Sequence, residues 1–165
     1  MNKEVLLDDV IGLMTEKLEN GGTVTFTPSG TSMLPMLRDS KDVVVLRKHS
    51  GRLNMFDVAL FRYKNGQYVM HRVIDVEADG SYVMCGDNQF VKERGVKDSD
   101  IIGVVTAFYR KGTPYSMNSI LYKLYVQLWY RTTLARRIYG FSKRKVTKLF
   151  GLDENKKSKK EKDDY

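Results

Sequence analysis

The chain has one cysteine among its 165 residues, three prolines, two histidines and one tryptophan. The lone Cys85 excludes an internal disulfide and fits a reducing compartment, and it reads as a small buried hydrophobe. A secretory signal is also missing, because Met1-Asn2-Lys3-Glu4 leads into a segment broken by Asp8, Asp9, Glu16 and Lys17. Neither export nor an N-terminal membrane tether is therefore expected. The longest apolar stretch, between residues 119 and 139, is interrupted by Lys123 and Gln127 and does not read as a spanning helix. Acidic residues are scarce at one end. Residues 110–165 hold 15 Lys and Arg against 5 acids, while residues 1–109 hold 13 against 15, so the whole positive balance of +8 arises in the tail.

What is present suggests one ordinary domain with appendages, long enough to bury a proper core. Residues 3–19 carry an apolar stripe of Val5, Leu6, Val10, Leu13, Met14 and Leu18, with acids opposite, which predicts an amphipathic helix ended by Asn20-Gly21-Gly22. That helix reads as a cover for a sheet edge or as a substrate or partner lid. Thr23 to Arg110 is a series of short strands. Thr23–Thr27 alternates, Asp42–Arg47 is a buried run, and Val58–Tyr63 and Gln67–Val76 flank a hairpin signal at Asn65-Gly66. Ala78-Asp79-Gly80 turns into Ser81–Cys85. The expected fold is mainly β, a small curled-sheet domain with an N-terminal helix and a basic C-terminal helical extension. The expected segments are the helix at 1–22, the β domain at 23–112, the basic aromatic extension at 113–151 and a disordered lysine-rich tail at 152–165.

Gly30-Thr31-Ser32-Met33-Leu34-Pro35 holds a serine in a tight loop, where a hydroxyl is exposed on constrained backbone. Such a hydroxyl is a weak nucleophile that needs a base, and the base needs an orienting group. His49 lies in a basic turn, whereas His71 lies in a β-branched strand, the more rigid mount. Asp87, in Gly86-Asp87-Asn88, offers a carboxylate at the next strand end. Serine, imidazole and acid in that order suit acyl transfer, since an imidazole accepts a proton near neutral pH and a carboxylate stabilises the imidazolium that forms. No metal or cofactor is required.

At these residues the chain resembles the signal peptidase I and repressor-type self-cleaving serine peptidases. The resemblance covers about residues 24 to 110 in five ordered blocks: Ser-Met-x-Pro at 32–35, Phe56-Asp57-Val58-Ala59-Leu60-Phe61 in place of Gly-Asp-Val-Val-x-Phe, His71-Arg72-Val73, Gly86-Asp87-Asn88, and Ile101-Ile102-Gly103-Val104-Val105. Histidine stands where many bacterial members have lysine, as in the Ser-His branch of endoplasmic-reticulum, archaeal and spore-former signal peptidases. The resemblance implies Ser32 as nucleophile and His71 as base. It leaves two acids for the third place, because Asp87 matches the Gly-Asp-Asn aspartate and Glu93 matches the second aspartate before Arg-Gly in that branch. It further implies an oxyanion site at the Ser32 amide, with Thr31 beside it, and substrate pockets that favour small residues near the cut; Met33, Leu34, Met36 and Leu37 read as their lining or as core.

The expected activity is thus a serine endopeptidase acting on an extended peptide or a leader-bearing precursor, bound as an added strand at a sheet edge. A peptide-binding module that does not cleave, or a self-cleaving regulator, would use the same fold. Trp129 and several tyrosines beside Lys and Arg in 113–151 suit an anionic membrane surface, so the expected location is cytoplasmic, at the inner face of a membrane. No nucleic-acid-binding motif accompanies those basic residues, and nucleic acid is not an expected partner.

Overall fold

The structure is a computed structural model that describes residues 3–64 and 66–132, with α1 side chains from Leu7 onward. The expected basic aromatic extension from residue 133 to 151 and the lysine-rich tail at 152–165 lie outside the described residues. The chain divides into two compact units, Met1–Lys123 and Leu124–Tyr165.

Helix α1 spans Lys3–Glu19 and is closed by its glycines. Gly21 adopts φ 76°, and the amides of Gly21 and Gly22 donate to the carbonyls of Leu18 and Lys17, which satisfies two carbonyls that the helix leaves open. Eight strands follow: β1 Thr23–Phe26, β2 Val43–Arg47, β3 Val58–Arg62, β4 Tyr68–Val76, β5 Tyr82–Cys85, β6 Glu93–Val96, β7 Ile101–Arg110 and β8 Thr113–Ser116. They form one antiparallel sheet in the order β1-β2-β7-β3-β4-β5-β6, with β8 also on β7. The sheet does not close, and its register shifts within β2–β7, β3–β7, β4–β5 and β5–β6, where strands bend. Bending folds the sheet over itself. That is why Val58–Phe61 and Tyr82–Cys85 are buried along their whole apolar length instead of on alternate residues.

β7 is the central strand. One edge takes β2, and the other takes β3 at Ile101–Val104 and then β8 at Ala107–Arg110. The sheet therefore continues to Ser116, past the expected boundary at 112. The core beneath is built from Leu53, Ala59, Phe61, Val73, Tyr82, Met84 and Val96. Leu18 of α1 is fully buried and packs over Gly103 of β7, where a Cβ would lie 3.0 Å from its Cδ1. The last described element, α2, spans Ile120–Arg131, and its first turn belongs to the unit that contains the sheet. In the second unit Tyr125 and Trp129 stack with ring centroids 6.0 Å apart. Among the described residues no helix is long and apolar enough to cross a membrane.

Candidate active site

Ser32 sits in the turn between β1 and β2, half-buried, and the loop that carries it is held from two sides. On one side the Asp39 carboxylate accepts the Gly30 amide at 2.7 Å and the Ser40 hydroxyl at 3.0 Å. The Gly30 bond and then the Ser40 bond hold the Asp39 carboxyl below the usual aspartate range. On the other side the Asn88 amide donates to the Ser32 carbonyl at 2.7 Å, and Asn88 Nδ2 donates to the Thr31 carbonyl at 3.2 Å. Gly30 is at φ 105°, a conformation that favours glycine, and the Leu34–Pro35 peptide is cis.

His71 lies on β4, 3 % exposed, with its ring against that of Phe61. Its Nδ1 is 2.7 Å from Glu93 Oε2. An ionised carboxylate only accepts hydrogen bonds, so this contact places the proton on Nδ1 and leaves the Nε2 lone pair outward. Gly86 packs against the same ring edge: a Cβ on Gly86 would stand 2.7 Å from the Ser32 carbonyl oxygen, 3.0 Å from His71 Nε2 and 3.1 Å from His71 Cδ2. The Ser32 main chain and the Nε2–Cδ2 edge of His71 thus both border Gly86. Residue 86 has room for no side chain.

The register explains which acid reaches the histidine. Val73 pairs with Met84, and Met84 pairs with Glu93, so His71, two residues before Val73, shares a sheet face with Glu93. Arg72 pairs with Cys85 on the opposite face, and Asp87 follows Cys85 by two. Asp87 accordingly belongs to Arg72. Arg72 Nε donates to Asp87 Oδ1 at 2.8 Å and Nη2 donates to Oδ2 at 2.7 Å, with both side chains fully buried. The expectation that Asp87 shares the catalytic acid's place is corrected: Asp87 anchors Arg72, and Glu93 is the carboxylate on the imidazole.

Arg72 also donates to the Phe56 carbonyl at 2.9 Å, to the Tyr122 hydroxyl at 2.6 Å and to Met36 Sδ at 2.8 Å. Burial drives the Arg72 guanidinium toward its neutral form, but Asp87 more than offsets this and its pKa lies above the ordinary value. Burial likewise raises the Tyr122 phenol. Met36, expected on a pocket wall, is instead buried beside Arg72 and Tyr122. Met33 is buried and does line a cleft, of about 360 Å³, whose lining also includes Ser32. Leu34 is half-buried and is not among the residues lining it. Thr31 is exposed beside Ser32.

His49, the other imidazole, faces Asp98 at 3.9 Å. Among the described residues no group of three or more His, Cys, Asp or Glu is placed to hold a metal ion. Sequence reasoning did not assign roles to Asp39, Gly86, Arg72 or Asn88. A pointer was available for Gly86 and Asn88 in the Gly-Asp-Asn block itself, whose flanking residues turn out to touch Ser32 and His71. No known protein family, curated protein or solved structure matches the chain.

Proposed function

We propose that the chain is a serine endopeptidase of the signal-peptidase type, working on an extended peptide such as a leader-bearing precursor. One observation carries the reading: the Ser32 main chain and the Nε2 edge of His71 both border Gly86 while Glu93 holds Nδ1 from behind. In the proposed reaction His71 Nε2 takes the Ser32 proton as the hydroxyl oxygen bonds to the scissile carbonyl carbon. Glu93 stabilises the imidazolium. The Ser32 amide, with Thr31 beside it, is the proposed donor to the tetrahedral oxyanion. Collapse breaks the C–N bond, and the proton on Nε2 leaves with the departing amine. Water then enters, gives a proton to His71, attacks the acyl ester and regenerates the serine.

The substrate is proposed to lie as an added strand, so that main-chain bonds give affinity and side chains give selectivity. The proposed workplace is the inner face of an anionic membrane. Leu121, Leu124 and Leu128 recur at helical spacing along α2 and are all exposed, beside Lys123 and Arg131, which suits a headgroup layer.

The test is mass-spectrometric profiling of cuts in a peptide library. Wild type should cleave, and Ser32→Ala and His71→Ala should each lower turnover by about 10,000-fold or more. Ser32→Ala should leave the folded state within about 0.5 kcal/mol of wild type, as expected for a half-buried loop hydroxyl. A wild type that binds peptides without cutting them would make the chain a binding module. Internal fragments on incubation without substrate would make it a self-cleaver.

A further inference from the structure

The two halves of α1 are packed differently. Toward its C-terminus, Leu18 is 1 % exposed and seated on Gly103. Toward its N-terminus, Leu7 and Val10 remain 48 % and 45 % exposed. A helix that only covered the sheet would bury both halves of its apolar stripe. Instead Leu7, Val10, Ile11 and Met14, one helical face, form a wall of the same cleft of about 360 Å³, whose lining includes Ser32. Its opposite side is strand and loop, with Phe26, Leu60 and Met70 among the residues that line it. The helix is tied to β4 beside the cleft, because the Tyr68 hydroxyl, also on the lining, donates to Asp8 at 2.6 Å.

Protein interiors leave few voids larger than a water molecule, and a space of this size is in the range that binds ligand groups. We infer that α1 is part of the substrate-binding site, and that its N-terminal half walls a pocket for one bulky apolar side chain, such as Leu or Phe, of the peptide held at Ser32. The inference rests on the peptide-binding part of the reading above and departs from the expectation of small residues near the cut. An alanine methyl would leave most of the cleft open and leave Leu7 and Val10 in water. A larger apolar side chain occupies more of it and covers more of both.

The test uses the full chain carrying Ser32→Ala, so that binding is read without turnover. Labelled peptides in which each position in turn carries Ala, Leu or Phe are titrated by fluorescence anisotropy, and wild type is assayed on the same set for cleavage. At one position Leu or Phe should bind roughly 10- to 100-fold more tightly than Ala. Leu7→Asp and Val10→Asp should erase that preference, and Leu13→Asp, on an exposed residue of the same helix outside the lining, should keep it. Thermal melts verify that each variant is folded, and Met14→Trp, which fills the cleft without adding charge, should block the Leu and Phe peptides. The inference is overturned if Ala is preferred at every position, if an apolar preference survives Leu7→Asp and Val10→Asp, or if no peptide binds. Apolar-selective binding without cleavage by wild type would remove the peptidase and leave the pocket. Ser32-dependent cleavage with a preference for Ala would do the reverse.

Discussion

His71 and Arg72 are neighbours on β4, each bonded to a carboxylate from farther along the chain, and the two pairs differ in every physical respect. Arg72 and Asp87 are sealed from water and joined by two parallel bonds, with Phe56, Tyr122 and Met36 filling the remaining directions. His71 and Glu93 share one bond, Glu93 retains 14 % side-chain exposure, and the Nε2 edge of the imidazole borders Gly86, as the Ser32 carbonyl does. The alternation of a strand turns one basic residue toward Asp87 and its neighbour toward Glu93 on the opposite face. The contrast is between a guanidinium with five hydrogen bonds and an imidazole with one.

The largest effect that separates the pairs is expected from Glu93→Gln. The new amide can donate to Nδ1, which drives the imidazole proton onto Nε2 and removes the base, so turnover should fall by about 10,000-fold. Stability should change by less than about 1 kcal/mol, because the site is partly exposed. Steady-state kinetics beside urea denaturation reads both, and a large stability loss with turnover intact would reverse the assignment. Next comes Asp87→Asn, which leaves the Arg72 charge buried and half-paired. It should cost about 3–5 kcal/mol in urea denaturation. Replacing both partners, Arg72→Met with Asp87→Leu, should recover much of that loss.

A third carboxylate sharpens the contrast through pH. Asp42 is fully buried, and burial pushes its carboxyl up, but hydrogen bonds from Arg38 and Arg110 prevail and hold it below the usual aspartate value. The unfolded chain then takes up a proton first, near pH 4, while the folded chain resists until lower pH. The stabilisation is therefore complete above the unfolded value and is lost as pH falls through the folded one. Acid titration of the unfolding midpoint should show this decline in wild type and a shallower one in Asp42→Asn.

The smallest effect concerns Phe56, whose carbonyl serves Arg72 while its backbone sits at φ 74°. Phe56→Ala and Phe56→Gly both remove the ring, but only glycine accepts that conformation without strain. The glycine variant should be more stable than the alanine variant by about 0.5–1 kcal/mol.

The parts of the molecule legible in the sequence are those whose signals are local. α1 was readable from its apolar stripe and the Asn-Gly-Gly stop, and five of the first strands were readable to within a residue or two from β-branched runs between turns. β6 was not, because Glu93-Arg94-Gly95-Val96 has neither an apolar run nor alternation. β8 was missed for a related reason: it is exposed along its length, contains Pro114, and owes its existence to an edge that β3 vacates on β7. For the site, Ser32 and His71 were singled out by order and mount. The choice between Asp87 and Glu93 stayed open because it depends on strand register, a long-range property that composition does not carry. Met36 reads as a pocket residue by its closeness to Ser32 in sequence, yet the Leu34–Met36 turn sends it to Arg72 instead.

The position of β7 has a consequence for how the protein comes into being. Ser32 belongs to the β1–β2 half of the sheet and His71 to the β3–β6 half, and within the sheet the two halves meet only through β7, the seventh strand to leave the ribosome. A nascent chain that has emerged as far as residue 100 has the partners of the Asn88–Ser32 and Arg72–Met36 bonds but lacks the strand that joins the two halves of the sheet. A chain cut short before β7 should therefore lose the proposed activity although Ser32, His71 and Glu93 are all present.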